Sequence, residues 1–344
     1  VNAYSPRTIL LTGGAGFIGC HLVRYLLRTD PHLHIVTLDL LTYAGSLDNL
    51  ADLPGADRHC FVHGDICDQA LVTRLCHEHN IDTIVHCAAE SHVDRSITGP
   101  AAFIQTNIVG TFTLLETARQ FWLHERGWEA QTCRFHQIST DEVYGTLEPE
   151  APPCCETTPY TPNSPYAASK AAADHLVRSY HRTYGLPTTA THCSNNYGPY
   201  QHAEKFLPTI IQSCLAGRPI PVYGTGTNIR DWLYVEDHCA GIDAVLRRGR
   251  VGEHYNIGGG YDGPNLEVVH LVCAAVAELT GAAVEQLTRL ISFVPDRPGH
   301  DWRYAIDAAK LQRELGWAPR ETFETGLRKT VAWYLQRRAT STAA

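Results

Sequence analysis

Ser139-Thr140-Asp141-Glu142-Val143-Tyr144-Gly145 sets a hydroxyl beside two neighbouring carboxylates. Further along, Tyr166-Ala-Ala-Ser-Lys170 places a phenol and an ammonium four residues apart, on one face if the segment is helical. An ammonium close to a phenol lowers its pKa from about 10, which makes the phenol a base for a substrate hydroxyl. Two adjacent carboxyl groups are pushed apart in pKa by burial and mutual repulsion, so one can serve as acid and the other as base near neutrality. An acid pair at a helix start or in a loop is also the ordinary fate of such residues. Thr140, Tyr166 and Lys170, counted together with the cofactor pattern upstream, set Asp141 and Glu142 apart from that fate.

These residues need a scaffold, and the chain supplies a βαβ rhythm. Arg7 to Thr12 is a short apolar run, followed by Gly13-Gly-Ala-Gly16-Phe-Ile-Gly19 and a helical pattern that includes Phe17, Val23 and Leu26. Glycines at 13, 16 and 19 allow a tight turn, backbone approach to a pyrophosphate, and close packing of helix on strand. Asp39 ends the next run, His34 to Leu38, 20 residues beyond Gly19. A carboxylate there accepts from a ribose 2′-hydroxyl and repels a 2′-phosphate, which favours NAD over NADP. Cys60 to Asp65 and Thr83 to Cys87 read as two further strands, with a helix ending near His79 between them. Phe135 to Ser139 read as a strand leading into the acid pair, and ligands in open α/β sheets bind at the carboxyl ends of strands.

Pro100 to Arg126 and Asn163 to Tyr184 read as long amphipathic helices whose apolar residues Phe112, Leu115 and Leu176 face either the core or a partner. Beyond Leu186 the composition shifts to Pro, Gly and isolated aromatics, with helices over Glu267 to Thr280 and Glu321 to Leu335. The expected fold class is α/β: a Rossmann-type parallel sheet with helices on both faces, plus a smaller C-terminal α/β lobe that binds substrate. The expected domains are 1–190 for NAD and catalysis, 191–336 mainly for substrate with the chain free to cross back, and a flexible tail over 337–344. In the smaller lobe Lys205, Arg230 and Arg297 are read as loop cations for a diphosphate, which a guanidinium fork holds bidentately.

A chain of 344 residues with 44% apolar content has room for about two domains at roughly 150 residues each. Its net charge of −8 argues against nucleic-acid binding, which leaves a basic footprint. With no basic segment followed by an apolar run at its start, and no apolar stretch of about 18 residues, the expectation is a soluble cytoplasmic protein without membrane contact. The twelve cysteines are expected to be reduced thiols. Cys76-His77-Glu78-His79 fits no common zinc spacing and closes a surface helix, so no metal is expected. Taken alone, His86, His92 and Asp94 read as packed or capping loop residues.

The motifs together resemble the extended short-chain dehydrogenase/reductase family, and the carboxylate pair narrows the resemblance to its nucleotide-sugar 4,6-dehydratases. Besides Ser139 to Gly145 and Tyr166 to Lys170, it rests on His86 to Ser96, Asn195 to Tyr200, Arg230 to His238 and Asp296 to Tyr304, and it runs from about Arg7 to about Leu335.

The resemblance implies bound NAD and, as substrate, a dTDP-linked glucose. The substrate is oxidised at carbon 4, loses water across carbons 5 and 6, and regains the hydride at carbon 6. By the same resemblance Thr140 and Tyr166 act on the 4-hydroxyl with Lys170 beside them, Asp141 donates a proton to the leaving hydroxyl, and Glu142 is the base at carbon 5. Gly13, Gly16, Phe17, Ile18, Gly19, Asp39, Leu40, Thr42, Cys87, Asn196, Tyr166 and Lys170 would meet the cofactor. Asp65 and Ile66 would lie at its adenine; Ala88, Ala89, Ser91 and Thr106 would lie at its nicotinamide side. Leu40 stands where the family has a cation. Ser91, His92, Thr140, Asn195, Lys205, Phe206, Pro221, Tyr223, Arg230, Asn265, Arg297, His300 and Tyr304 would meet the substrate. The two long helices would pair across a two-fold axis as a four-helix bundle in a homodimer. Three alternatives stay open: a 4-epimerase, a dehydratase of a UDP- or GDP-linked hexose, and a non-catalytic NAD-binding regulator.

Overall fold

Runs of Ile, Val and Leu that are apolar at successive positions suit strands buried on both faces. Seven such strands form one parallel sheet in the computed structural model, which describes residues 3–342. They are β1 (Thr8–Thr12), β2 (His34–Asp39), β3 (His59–His63), β4 (Thr83–His86), β5 (Arg134–Thr140), β6 (Thr188–Cys193) and β7 (His254–Ile257). Their order is β7-β6-β5-β4-β1-β2-β3. The order turns back at β1, where β2 lies on one side and β4 on the other, with Leu10 opposite Val36 and Ile84.

Strand alternation divides the core. Ile9, Leu11 and Ile35 pack on one face with Leu22 and Leu26 of the Phe17–Thr29 helix and Ile242 and Val245 of the Val235–Arg248 helix. Leu10, Val36 and Ile84 pack on the other face with Leu75, Leu114, Trp122 and Val177. Each such side chain contributes about 1.5–3 kcal/mol by leaving water, so Leu10→Ala would cost about 2–5 kcal/mol.

The helix expected over Pro100 to Arg126 is a single rod in which α-helical Pro100–Phe103 and Thr111–Ala118 alternate with π-helical Ile104–Gly110 and Arg119–Glu125. The first wide turn has a visible cause. Asn107 is drawn into hydrogen bonds with the Glu90 backbone at 2.9 and 3.0 Å and with Ser169 Oγ at 2.8 Å. Leu115 belongs to the core, whereas Phe112 is exposed and Leu176 is half-buried. The Pro165–Tyr184 helix begins where Ser164 Oγ accepts from the Ala167 N–H at 3.0 Å, with Pro165 in the first turn, and it stops at left-handed Gly185. These are ordinary start and stop signals.

The smaller lobe has its own core, with Leu207, Ile211, Trp232, Val268, Val272 and Phe323. A three-stranded sheet (Asp262–Pro264, Ile229–Tyr234, Asn195–Tyr197) and a two-stranded one (Ile291–Val294, Ile220–Tyr223) frame it. The expected division at 190/191 falls inside β6. The Val235–Arg248 helix and β7 return to the main sheet because their apolar residues complete its edge. The expected tail is corrected as well: the Phe323–Thr342 helix continues through 337–342, and residues 343 and 344 lie outside the described residues. Among the described residues no helix is long and apolar enough to cross a membrane.

Candidate active site

At the carboxyl ends of β1, β2, β4, β5 and β6 a single cleft opens, and its far wall is the smaller lobe's 194–205 segment. All the residues expected to meet the cofactor line it: Gly13, Gly16, Phe17, Ile18, Gly19, Asp39, Leu40, Thr42, Asp65, Ile66, Cys87, Ala88, Ala89, Ser91, Thr106, Tyr166, Lys170 and Asn196. The glycines fit a dinucleotide. Gly13 has φ +72°, and a Cβ at Gly19 would stand 2.1 Å from the Gly13 carbonyl oxygen, so the helix lies against the turn only without one. A Cβ at Gly16 would meet that same oxygen at 3.3 Å and nothing else within 4 Å. The helix start at Gly16 carries no side-chain cap, which leaves its N–H groups to an anion.

Asp39 accepts from the Ala15 N–H at 2.9 Å and from the Leu41 N–H at 2.8 Å, one on each oxygen. It is thereby fixed at the end of β2 with lone pairs left for a ribose. Asn195 and Gln201 line the cleft with side-chain oxygens that meet no protein donor. Leu40 is exposed on the cleft wall.

The expected catalytic residues Thr140, Asp141, Glu142, Tyr166 and Lys170 come together in the same wall. Asp141 and Glu142 do not continue the strand as extended backbone; they start a 3-10 turn, Asp141–Tyr144, with the Glu142 N–H on Thr140 Oγ1 at 3.3 Å. The turn sends the two carboxyl groups into different surroundings. Asp141 is buried, and its pKa is pushed well above the carboxylate range by burial first, then by Glu142 and Asp231. Glu142 keeps partial solvent contact. Burial raises it too, but Arg297, Arg230 and Lys205 pull it back. The pair is thus asymmetric: burial raises both carboxyls, Asp141 well above the ordinary range, while at Glu142 three cations oppose the rise.

The protein groups by themselves do not make Tyr166 acidic. Its phenol is raised well above 10, by burial first, then by Glu142 and Cys193, with the Thr140 hydroxyl as the lowering contact. Lys170 instead donates from Nζ to the Ile138 carbonyl at 2.7 Å. The reason is physical: a phenol sealed between β5 and its own helix gives up solvation that an ammonium one turn away does not replace.

Of the residues expected at the substrate, Ser91, Thr140, Asn195 and Lys205 line the cleft. Lys205 Nζ donates to the Ser91 carbonyl at 2.9 Å. The others stand outside its lining. Arg230 is not a loop cation: it is buried on the strand Ile229–Tyr234, donates to the Asp301 carbonyl at 2.9 Å, and lies 4.2 Å over the Tyr304 ring. Arg297 reaches Asp94 at 3.6 Å. His300 Nδ1 is 2.6 Å from Asp296 Oδ1 and its ring lies edge-on to exposed Tyr223. Tyr304 is buried and donates to Asp301 Oδ2 at 2.5 Å. Phe206 stacks on Trp232, Asn265 starts a helix, and Pro221 is exposed on its strand. His92 lies between Asp94 at 3.7 Å and Glu204 at 3.8 Å. His86 has a packing role: Nδ1 lies 2.8 Å from Thr12 Oγ1 and Nε2 lies 3.0 Å from Thr111 Oγ1, and burial pushes it down to about 3.

Besides Gln201, other residues near the site are absent from the sequence-based expectation. Ser194 and His202 line the cleft, Asp231 acts on Asp141, and Asp174 lies behind Lys170. The Ser-Asn-Asn-Tyr run held a signal for Ser194; a lone acid within a helix or strand holds none.

Comparison with known proteins places this geometry among relatives. The family model described as GDP-mannose 4,6 dehydratase matches residues 10–330. The dTDP-glucose 4,6-dehydratase of Salmonella typhimurium is 54% identical over 335 residues, 95% of this chain and 92% of its own length. That of Xanthomonas campestris pv. campestris strain B100 is 56% identical over 332 residues, 95% of this chain and 93% of its own. Among solved structures, DesIV, the dTDP-glucose 4,6-dehydratase of Streptomyces venezuelae with NAD and dTDP bound, superposes with a TM-score of 0.88 at 46% identity, covering 97% of this chain and 98% of that one. The UDP-glucose 4-epimerase of Thermotoga maritima superposes with a TM-score of 0.84 at 28% identity, covering 96% and 99%.

Proposed function

The chain belongs to the GDP-mannose 4,6 dehydratase family, and from that premise we propose that it is an NAD-dependent lyase converting dTDP-glucose to dTDP-4-keto-6-deoxyglucose. The observation that carries this over 4-epimerisation is the asymmetric pair Asp141 and Glu142 beside Thr140 and Tyr166. An epimerase needs the hydroxyl, phenol and ammonium, but no acid and base after the strand.

Tyr166, whose phenol Lys170 and the positive ring of bound NAD would acidify, takes the proton of the carbon 4 hydroxyl, with Thr140 holding that hydroxyl against it. NAD supplies hydride acceptance from carbon 4 and hydride return at carbon 6. A ketone at carbon 4 acidifies the proton at carbon 5, and Glu142 removes it; Arg297, Arg230 and Lys205 favour its charged form against the burial that raises it. Asp141, kept protonated by burial, gives its proton to the hydroxyl leaving carbon 6, and one water is lost.

Lys205, which lines the cleft, and Arg230 and Arg297, which act with it on Glu142, are the cations that would hold the substrate diphosphate. Exposed Ile97, Ile104, Val109 and Phe112 on the 93–125 segment support a homodimer in which this segment and the Pro165–Tyr184 helix form a four-helix bundle.

The test is incubation with dTDP-, UDP-, GDP- and CDP-linked hexoses, with dTDP-glucose carrying deuterium at carbon 4. The expected result is a 4-keto-6-deoxy product from dTDP-glucose with the label at carbon 6 and no net NADH. Stoichiometric NADH release, or an epimer without loss of water, overturns the proposal.

A further inference from the structure

Lys170 is buried, and an ammonium in such a place tends to lose its charge. One helical turn further lies Asp174, also buried, at the spacing that brings two side chains to one face. Its Oδ2 accepts from Ser139 Oγ at 2.6 Å and lies 3.0 Å from His192 Nε2; its Oδ1 meets no partner. Ser139 and His192 are directly opposite in the pairing of β5 with β6, so both strands grip one carboxylate. Ser139 also follows Ile138, whose carbonyl accepts from Lys170 Nζ. Ammonium and carboxylate are therefore pinned to consecutive residues at the end of β5.

We propose that Asp174 is a positioning residue: clamped by Ser139 and His192, its carboxylate is the buried counter-charge that keeps Lys170 protonated and aimed at Tyr166 and the cofactor. The inference rests on the dehydratase reading of the site and gives a role to a carboxylate that takes no part in the acid–base steps.

The surroundings agree. Burial lowers Lys170, and Asp174 leads the groups that oppose it, ahead of the thiols Cys87 and Cys193; it is the one carboxylate in that set. Burial alone would raise Asp174, yet His192, Lys170 and Ser139 hold it below the ordinary range. Tyr160, Tyr144 and His254 also face Asp174, and His86 faces Lys170. The 100–126 rod presents Asn107 to Ser169 beside Lys170, and Glu116 to Tyr180 further along the same helix. Asp174 is not among the leading groups that raise Tyr166, which are burial, Glu142 and Cys193, so it supports the ammonium without hindering the phenol.

The experiment is kcat and KM against pH for the holoenzyme with dTDP-glucose, in the wild type, Asp174→Asn and Asp174→Glu. Without the counter-charge Lys170 deprotonates sooner, so the basic limb of kcat in Asp174→Asn should move down by about 1–3 pH units, the range for a close opposite charge. KM should stay within about twofold, because Asp174 does not touch substrate. Asp174→Glu, which keeps the charge, should restore the limb. An unmoved limb in Asp174→Asn, whatever its activity, overturns the proposal and leaves a merely structural role. If Asp174→Asn does not fold, Ser139→Ala decides: loss of one clamp should move the limb the same way by a smaller amount, and an unmoved limb overturns the proposal. Wild-type turnover in the same assay separates this outcome from failure of the dehydratase reading, which would show as no conversion at all.

Discussion

Replacing Glu142 by Gln should do two things at once, and the second follows from this structure alone. Loss of the base stalls the reaction after oxidation, a loss of about 10²–10⁴-fold in turnover for a positioned group. Glu142 is also the strongest charge raising the Tyr166 phenol, second only to burial. Removing that charge lowers the phenol, and each unit of pKa is worth about 1.4 kcal/mol, tenfold in the deprotonated fraction. The acid limb of the first half-reaction should therefore move to lower pH, while overall turnover falls. Stopped-flow absorbance of enzyme-bound NADH reads the first half, and product formation reads the whole. In Asp141→Asn the same stall is expected with little or no shift of the limb, because a carboxyl that burial keeps protonated has no charge to remove. Deuterated solvent separates the two roles: label should enter carbon 5 of recovered substrate with Asp141→Asn and stay out with Glu142→Gln. Exchange by Glu142→Gln, or an acid limb that moves upward, would refute the assignment and the electrostatic argument respectively.

Tyr166→Phe should abolish both product and transient NADH, by at least about 10²-fold; wild-type rates would remove it from the hydride step. Asp39→Asn should weaken NAD and narrow its lead over NADP, read by fluorescence titration with each reduced cofactor, and an unchanged preference would reject the ribose contact. Asp231→Asn tests stability. Burial raises this carboxyl to about 7 from an ordinary 3.8, so the folded state favours its protonated form. That preference is fully present below the unfolded pKa and is lost as pH rises through 7, a loss of about 4 kcal/mol. The Tm of Asp231→Asn relative to wild type should therefore improve from about pH 4 to pH 7 and level off above it, and a constant gap across that window would show that Asp231 is not neutral in the fold.

What the sequence discloses and conceals follows a physical line. The Gly13–Gly19 turn, Asp39 and the strands around them are legible because each is decided by neighbours a few residues away. Tyr166 and Lys170 are legible for the same reason, four residues apart on a helix marked by Ser164, Pro165 and Gly185. Asp174 is not, because its meaning depends on the β5–β6 pairing that sets Ser139 opposite His192. Arg230 looked like a loop cation because Pro and Gly surround it, yet tertiary packing under Tyr304 makes it a strand residue. For Tyr166, spacing reveals the ammonium nearby but not the burial that raises the phenol.

The return of the chain to the main sheet has a consequence for how the molecule comes into being. β6 cannot gain its outer neighbour until β7 has been made, and the whole 194–253 segment separates the two in sequence. On a ribosome adding roughly 5–20 residues/s, the nascent β6 edge stands open for seconds, with Ile9 and Leu11 still lacking the Ile242 and Val245 that later cover their face. Such an edge is a template for pairing with another chain. The half that holds the catalytic residues is thus the half exposed longest during synthesis, and a helper that shields unfinished sheets would act there, before the smaller lobe has closed.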